Sequence, residues 1–318
     1  MKRFVSMAVS VLILSIIYSK IDRQGLIAVF QDCDRGWMLV SLAMVIPLTM
    51  FTAWRLQQLM PQGTALGFGE ANRLILAASV LNMVLPSKMG DIAKAYFMKD
   101  VGHLSGSLAL SLVVFEKACD LLSLLLWCVF GLLLYPQKDV LFWMMTAGIF
   151  LGLILGILIL TSSRFANFFF VLFSQISPKK IKQKLLKLQT SWGEMQSYFW
   201  SDKKQLLKIS LTSIFIWFLH LLQIWFFILA LKAWVPFITN LALSPLAILA
   251  GLLPLTFAGI GTRDAALVLF YQPYFPATTA AALGLLCTSR YFLPALGGLP
   301  FLSQYLATIR GNQFNKNI

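Results

Sequence analysis

From Leu81 to Lys99 the chain reads LNMVLPSKMGDIAKAYFMK, which sets Pro86, Lys88, Gly90, Asp91 and Lys94 inside a run of otherwise membrane-grade residues. A backbone in hydrocarbon must satisfy its polar groups internally, so a helix broken there by proline and glycine has to be covered by protein rather than lipid. Residues 251 to 270, GLLPLTFAGIGTRDAALVLF, repeat the plan, with Pro254, Gly259 and Gly261 at the break and Arg263 and Asp264 at the restart. Interrupted apolar segments at corresponding places in two halves of a chain point to a transporter binding site at a repeat interface.

Composition agrees. Hydrophobic residues make up 59% of the 318 positions and charged ones 12%, about half the ~25% of a soluble domain. No polar stretch approaches the ~100 residues of an independent soluble domain. The expected fold is an all-α polytopic membrane protein, one integral domain over residues 1–318, with about six full spans and two re-entrant helical hairpins in an inverted repeat. The net charge of +14 is uneven, and residues 161 to 208 hold nine basic residues against Glu194 and Asp202. By the positive-inside rule that segment is cytoplasmic, so the charge does not imply a nucleic-acid partner. Cys33, Cys119, Cys128 and Cys287 form no CxxC pair, and His103 and His220 lie far apart, so neither a metal nor a cofactor is expected.

Topology follows in chain order. Phe4 to Ser19, preceded by Lys2 and Arg3 and lacking an A-x-A-like cleavage site, reads as a retained first span that starts in the cytoplasm. Residues 20 to 35 form an outer loop, and Gly36 to Trp54 return with Arg55 at the cytoplasmic end. The long apolar helix from Ser105 to Tyr135 must also start inside, because after Pro136 to Asp139 the span 140–160 delivers the chain to the basic segment. Residues 71 to 98 therefore enter and leave by one face. About 14 residues per leg falls short of the ~20 needed to cross, so a hairpin with Pro86 to Gly90 at its tip is predicted.

Within the basic segment, 161–205, Ile181, Leu185, Leu188, Trp192, Met195 and Phe199 recur every three or four residues. That spacing predicts an amphipathic helix over 180–200, lying either on anionic lipid or on the protein's own cytoplasmic face. The second half runs outward through 206–231, makes a second hairpin over 241–270 from the outer face, and returns through 277–308 to Arg310 and Lys316. The repeats span about 36–135 and 206–308, with both termini cytoplasmic. Leu241 to Ala258 is also apolar enough for a full crossing, which stays open at this level.

Glu116, Lys117 and Asp120, in FEKACDLL, fall 11 to 15 residues into their helix, ~16 to 22 Å deep in a ~30 Å core. Each charge there costs roughly 2.5 to 3.5 kcal/mol unless paired. Such a group is either a self-neutralising cluster or part of a polar pathway. In the first hairpin Lys88, Asp91 and Lys94 follow the break, where a helix start favours an anion such as phosphate; alternatively Lys88 snorkels and Asp91 caps. Arg263 can grip a phosphate bidentately, or pair with Asp91, Glu116 or Asp120. Arg73 reads as interfacial, whereas Arg290, halfway along the last span, is harder to assign to the interface. His220 and Gln223, on one helical turn, read as interhelical hydrogen-bonding residues or a site.

The runs VLPSKMGDIAKAYFM, FEKACDLL and AGIGTRDAALVLFY together resemble the integral-membrane flippase-like family typified by the membrane half of lysylphosphatidylglycerol synthase-flippases. The likeness extends from about residue 4 to residue 308, with the motifs in the family's order. Lysine stands for the family's arginine at 94 and 117, and aspartate for glutamate at 264. Charge sign is kept, but lysine lacks the planar fork of arginine. The resemblance implies a flippase moving a phospholipid or lipid-linked glycan across the bacterial inner (plasma) membrane. Its headgroup cleft would be formed by Lys88, Gly90, Asp91, Lys94, Glu116, Lys117, Asp120, Arg263, Asp264 and Arg290. The 318 residues leave no room for the aminoacyl-transferase domain of bifunctional relatives, and no GxSxG, HExxH or Cys-His constellation is present, so an enzyme is not expected. The partners implied are a lipid with a phosphate-bearing headgroup, the anionic cytoplasmic leaflet through residues 180–200, and a separate lipid-modifying enzyme. The alternatives are an accessory membrane subunit for a glycosyltransferase and an intramembrane enzyme acting on a lipid substrate.

Overall fold

A computed structural model describes residues 22–61, 64, 66–84, 90–101, 104–135, 138–176, 179–253 and 261–314. The expected first span, Phe4 to Ser19, and the break residues Pro86, Lys88, Pro254 and Gly259 lie outside them. Among the described residues the protein is all-helical: α1 (Arg23–Gln31), α2 (Arg35–Ala43), α3 (Val45–Leu59), α4 (Phe68–Val84), α5 (Gly90–Val101), α6 (Gly106–Leu134) and α7 (Val140–Thr161). Then follow α8 (Ser163–Ile176), α9 (Lys179–Ser201), α10 (Lys203–Ala230), α11 (Phe237–Leu252), α12 (Thr262–Tyr271), α13 (Ala277–Ser289) and α14 (Phe292–Phe314). Many starts are written in the sequence as N-caps whose side-chain oxygens take an otherwise orphaned backbone N–H. Asp34 accepts from Trp37, Ser105 from Leu108, Asp139 from Phe142 and Asp202 from Gln205, at 2.8 to 3.2 Å.

This is a multi-pass membrane protein. Arg35–Leu59, Gly106–Leu134, Val140–Thr161, Lys203–Ala230 and Ala277–Tyr305 are each long and apolar enough to cross a bilayer. On α7, Val140, Trp143, Met144, Phe150, Leu151 and Ile154 face outward, as they do where lipid is the solvent. The expected span from Gly36 to Trp54 runs on to Leu59, and the expected outer loop 20–35 holds a nine-residue helix, α1, capped by Asp22 and packed on α13.

The two interrupted segments are short packed pairs. Helices α4 and α5, 17 and 12 residues long, pack on each other and flank the first break. Helix α11 stops at Leu252 after 16 residues and packs on the 10-residue α12. At ~1.5 Å per residue none of the four reaches ~30 Å. Of the alternative full crossing by Leu241 to Ala258, residues 254–258 lie outside the described residues.

Two large apolar cores and a small cluster of Leu48, Ile216 and Leu219 result among the described residues. Leu56, Leu74, Met98, Leu112, Phe115 and Phe199 form one around the first pair; Leu124, Cys128, Ile149, Phe227, Ala247 and Leu283 form the other around the second. Helices α6 and α10, 29 and 28 residues long, contribute to both. Helix α14 lies along α4, its Tyr305 ring stacked 4.8 Å from Phe97 of α5.

The predicted amphipathic helix over 180–200 is α9. Trp192, Met195 and Phe199 are buried, and Phe199 stacks on Phe115 of α6 at 4.7 Å. Over its C-terminal half the apolar face is therefore covered by the protein itself. The preceding amphipathic helix, α8, has no counterpart in the sequence reading.

The second core also encloses a polar knot. The Tyr271 hydroxyl donates to Asn240 Oδ1 at 3.0 Å, Ser244 Oγ lies 2.8 Å from it, and Asn240 Nδ2 donates to the Leu221 carbonyl at 2.9 Å. Removing one member of a satisfied buried network costs about 1 kcal/mol, and stranding several costs more. Tyr271→Phe is expected to lower the thermal midpoint of the detergent-solubilised protein by a few degrees. Asn240→Leu, which takes one partner each from Tyr271, Ser244 and the Leu221 carbonyl, should lower it further.

Candidate functional site

Glu116, Lys117 and Asp120 project from the middle of α6, and three other helices bring partners to them. Helix α3 supplies Arg55, whose Nη2 donates to Glu116 Oε1 at 2.9 Å and whose Nη1 bonds both Asp120 Oδ1 and, at 3.0 Å, Ser213 Oγ of α10. Helix α5 supplies Lys94, bonded to Glu116 Oε2, and Asp91, whose Oδ2 lies 3.2 Å from Lys117 Nζ. Lys117 Nζ also lies 3.2 Å from Asp120 Oδ2, and Asn82 Nδ2 of α4 reaches Asp91 Oδ1 at 3.4 Å.

Three cations thus face three carboxylates. Arg55, Lys94 and Glu116 are buried, while the Lys117 side chain is 44% exposed, with Asp91 and Asp120 beside it at the rim. In this arrangement the group neutralises itself. Arg55, expected at the cytoplasmic end of its span, instead lies at the centre of the cluster at 1% exposure. The sequence carries no signal for this, since Gln57, Gln58 and Pro61 follow Arg55 as they would at a solvated helix end. Gly90 opens α5 so close to α4 that a Cβ there would lie 2.4 Å from the Ala78 carbonyl oxygen. That approach is what lets Asp91 and Lys94 reach α6.

The second restart is built differently. Gly261, at φ 108°, turns the chain into α12, and its N–H donates to Asp264 Oδ2 at 3.1 Å, so the acid three residues on closes the helix start. Arg263 donates to Asp264 Oδ1 through Nε at 3.0 Å and Nη2 at 2.6 Å. Its remaining contacts go to α13: the Gly284 carbonyl at 2.9 Å, Thr288 Oγ1 at 2.6 Å and the Cys287 carbonyl at 3.4 Å. Of the pairings open to Arg263 in the sequence, none with Asp91, Glu116 or Asp120 forms, since those acids are held by Arg55, Lys94 and Lys117.

Arg290 stands apart. It is 6% exposed, at the turn between α13 and α14. Nη1 donates to Gln223 Oε1 and Nη2 to the Tyr291 hydroxyl, both at 3.3 Å, while Nε has no hydrogen-bond partner among the described residues. No described carboxylate lies within ion-pair distance of it. The undescribed break, 254–260, contains no acid. Around Cys287, then, two guanidiniums meet one carboxylate. Arg73, by contrast, is an exposed residue paired with Glu70 at 3.5 Å.

A stripe on α10 joins the two sites. Ser213 holds Arg55; the Trp217 indole donates to the Asp120 carbonyl at 2.7 Å; His220 packs 5.4 Å from the Trp217 ring; Gln223 holds Arg290 and donates to the Ser41 carbonyl at 2.9 Å. These residues recur every three or four positions and so share one face of the helix. From Ser213 to Gln223 the stripe is ~15 Å long. Among the described residues no cluster of three metal-ligating side chains occurs.

A model of the lysylphosphatidylglycerol synthase transmembrane region matches residues 3–298. The chain belongs to that family. The match includes the first break, the FEKACDLL helix, the second restart and Arg290. A UPF0104 membrane protein of Methanocaldococcus jannaschii is 23% identical to this family member, with 93% of each chain covered.

Proposed function

We propose that this chain moves a lipid with a phosphate-bearing headgroup, a phospholipid or lipid-linked glycan, between the leaflets of the plasma membrane, without covalent chemistry. Arg290 carries the reading: a guanidinium nine-tenths buried, with no carboxylate at ion-pair distance among the described residues and an unbonded Nε, invites an anion. A charge left uncompensated in hydrocarbon is costly, and such residues mark ion and substrate paths. Family membership and the polar stripe from Gln223 to Ser213 support the same reading.

In it the phosphate docks at Arg290 and Gln223, and the headgroup follows the α10 stripe toward the first cluster. There the half-exposed Lys117 parts from Asp91 of α5 as the first hairpin rocks against α6, while Asp120, on α6 itself, stays beside it. The two hairpins act as inverted repeats, and alternating access arises from movement of one against the other.

The test is leaflet sidedness in liposomes containing purified protein, with fluorescent phosphatidylglycerol and a polyprenyl-phosphate glycolipid offered in parallel. Wild-type protein is expected to move at least one of them. Arg290→Gln is expected to slow that movement at least tenfold with little change in thermal midpoint, Arg290→Lys to retain part of it, and Arg73→Gln to be unchanged. Wild-type rates in a folded Arg290→Gln protein refute the role given to Arg290, and failure of wild type to move either lipid refutes the transport reading.

A further inference from the structure

Helix α8, Ser163–Ile176, carries the sequence SRFANFFFVLFSQI. One face packs on α9: Ala166 and Ser174 are buried, Gln189 Nε2 donates to Asn167 Oδ1 at 3.1 Å, and Phe170 lies 6.2 Å from Trp192. The other face holds Phe165, Phe168, Phe169, Leu172 and Phe173. Phe165 to Phe169, Phe168 to Phe169 and Phe169 to Phe173 lie ring to ring at 5.1, 5.6 and 6.4 Å. Phe168 is 60% and Phe173 56% exposed, so this is a continuous aromatic surface with no cover from the described chain. A patch of that kind marks an interaction surface.

Its place limits what can cover it. Only Ser162 separates α8 from the end of the span α7, so the helix begins at the edge of the bilayer. Fourteen residues make ~21 Å, too short to cross a ~30 Å core. Exposed cations accompany it: Arg164 at its start and Lys182 and Lys187 on α9.

We propose that α8 lies in the plane of the membrane boundary with its phenylalanine face among the acyl chains, and that α8 and α9 together form a docking surface for anionic phospholipid. The aromatic face supplies apolar burial and the flanking cations supply attraction to negative headgroups, the two terms that drive interfacial helix binding. The surface is distinct from the Arg290 site, and its test does not depend on transport. Through the Phe199–Phe115 stack it abuts the residue next to Glu116, so its seating in the bilayer supports the helix that carries the first charge cluster.

The experiment places an environment-sensitive fluorophore on Phe168→Cys or, separately, on Gly193→Cys, whose site has open space around it, each in a Cys33→Ser background. The full chain is reconstituted in nanodiscs of phosphatidylcholine with 20 mol% of either brominated phosphatidylglycerol or brominated phosphatidylcholine. The Phe168 label is expected to be quenched in both, about twofold more by the anionic lipid, with the excess lost in 0.5 M salt and in Lys182→Gln/Lys187→Gln. The Gly193 label is expected to be quenched little. Equal quenching of the Phe168 label by the two brominated lipids overturns the anionic-lipid surface. Absence of quenching overturns the immersion of α8, as does self-quenching that grows with the number of copies per disc, which assigns the face to a second copy.

Discussion

Glu116→Ala is expected to leave little folded protein. The Glu116 carboxylate holds Arg55 through one oxygen and Lys94 through the other, with all three residues buried. Arg55 keeps Asp120 in the variant, but Lys94 loses its carboxylate inside the first core. Removing one partner of a buried ion pair costs about 3 to 5 kcal/mol, because the remaining charge is stranded, whereas removing both partners together can be nearly neutral. Lys94→Met combined with Glu116→Gln is therefore expected to recover most of the folded yield and thermal midpoint that Glu116→Ala loses. Size-exclusion profiles and thermal unfolding in detergent supply both numbers, and adding the single variants Lys94→Met and Glu116→Gln completes a cycle that isolates the coupling. A Glu116→Ala protein as stable as wild type would mean that the cluster does not hold α3, α5 and α6 together.

Gly90→Ala is expected to separate the first pair of helices. A Cβ at residue 90 would sit 2.4 Å from the Ala78 carbonyl oxygen, 2.5 Å from the Asn82 nitrogen and 2.7 Å from Asn82 Oδ1. Two of those atoms are backbone and cannot rotate aside, so α5 must move off α4. Overpacking of this kind costs about 1 to 3 kcal/mol. The displaced helix carries Asp91 and Lys94, so the ion pairs with Lys117 and Glu116 weaken with it. Thermal stability and lipid movement should both fall, the latter at least tenfold. Gly193→Ala, with nothing within 4 Å of its Cβ, exchanges a poor helix former for the best one, worth ~1 kcal/mol, and should be neutral or stabilising.

Much of the fold was legible because hydrophobicity and span length are local properties. Gly106–Leu134 and Val140–Thr161 fall within a residue or two of where their apolar runs predict, and the short legs around both breaks follow from proline, glycine and charge. The amphipathic spacing of α9 was equally plain, but it is the same whether lipid or protein covers it; Phe115 of α6 decides that for Phe199. Helix α8 was missed inside a segment read mainly by its lysines, although its phenylalanine spacing is visible in the sequence. Arg55 was misplaced because an arginine near the end of a span looks the same whether it meets water or a buried carboxylate.

By itself the sequence determined that this is a multi-pass helical membrane protein and that Glu116, Lys117 and Asp120 sit midway along one apolar helix. Those are consequences of composition and of the fixed rise of a helix. Only the tertiary structure decided which charge meets which: Arg55, more than 60 residues from Glu116 and Asp120 in the chain, closes the first cluster, Arg263 turns to its neighbour Asp264, and Arg290 keeps an unbonded Nε. An ion pair is set within a few ångströms by side-chain direction and helix packing, and Coulomb attraction in a low-dielectric interior falls steeply in worth when geometry is poor. Sequence spacing specifies neither direction nor packing between helices distant in the chain.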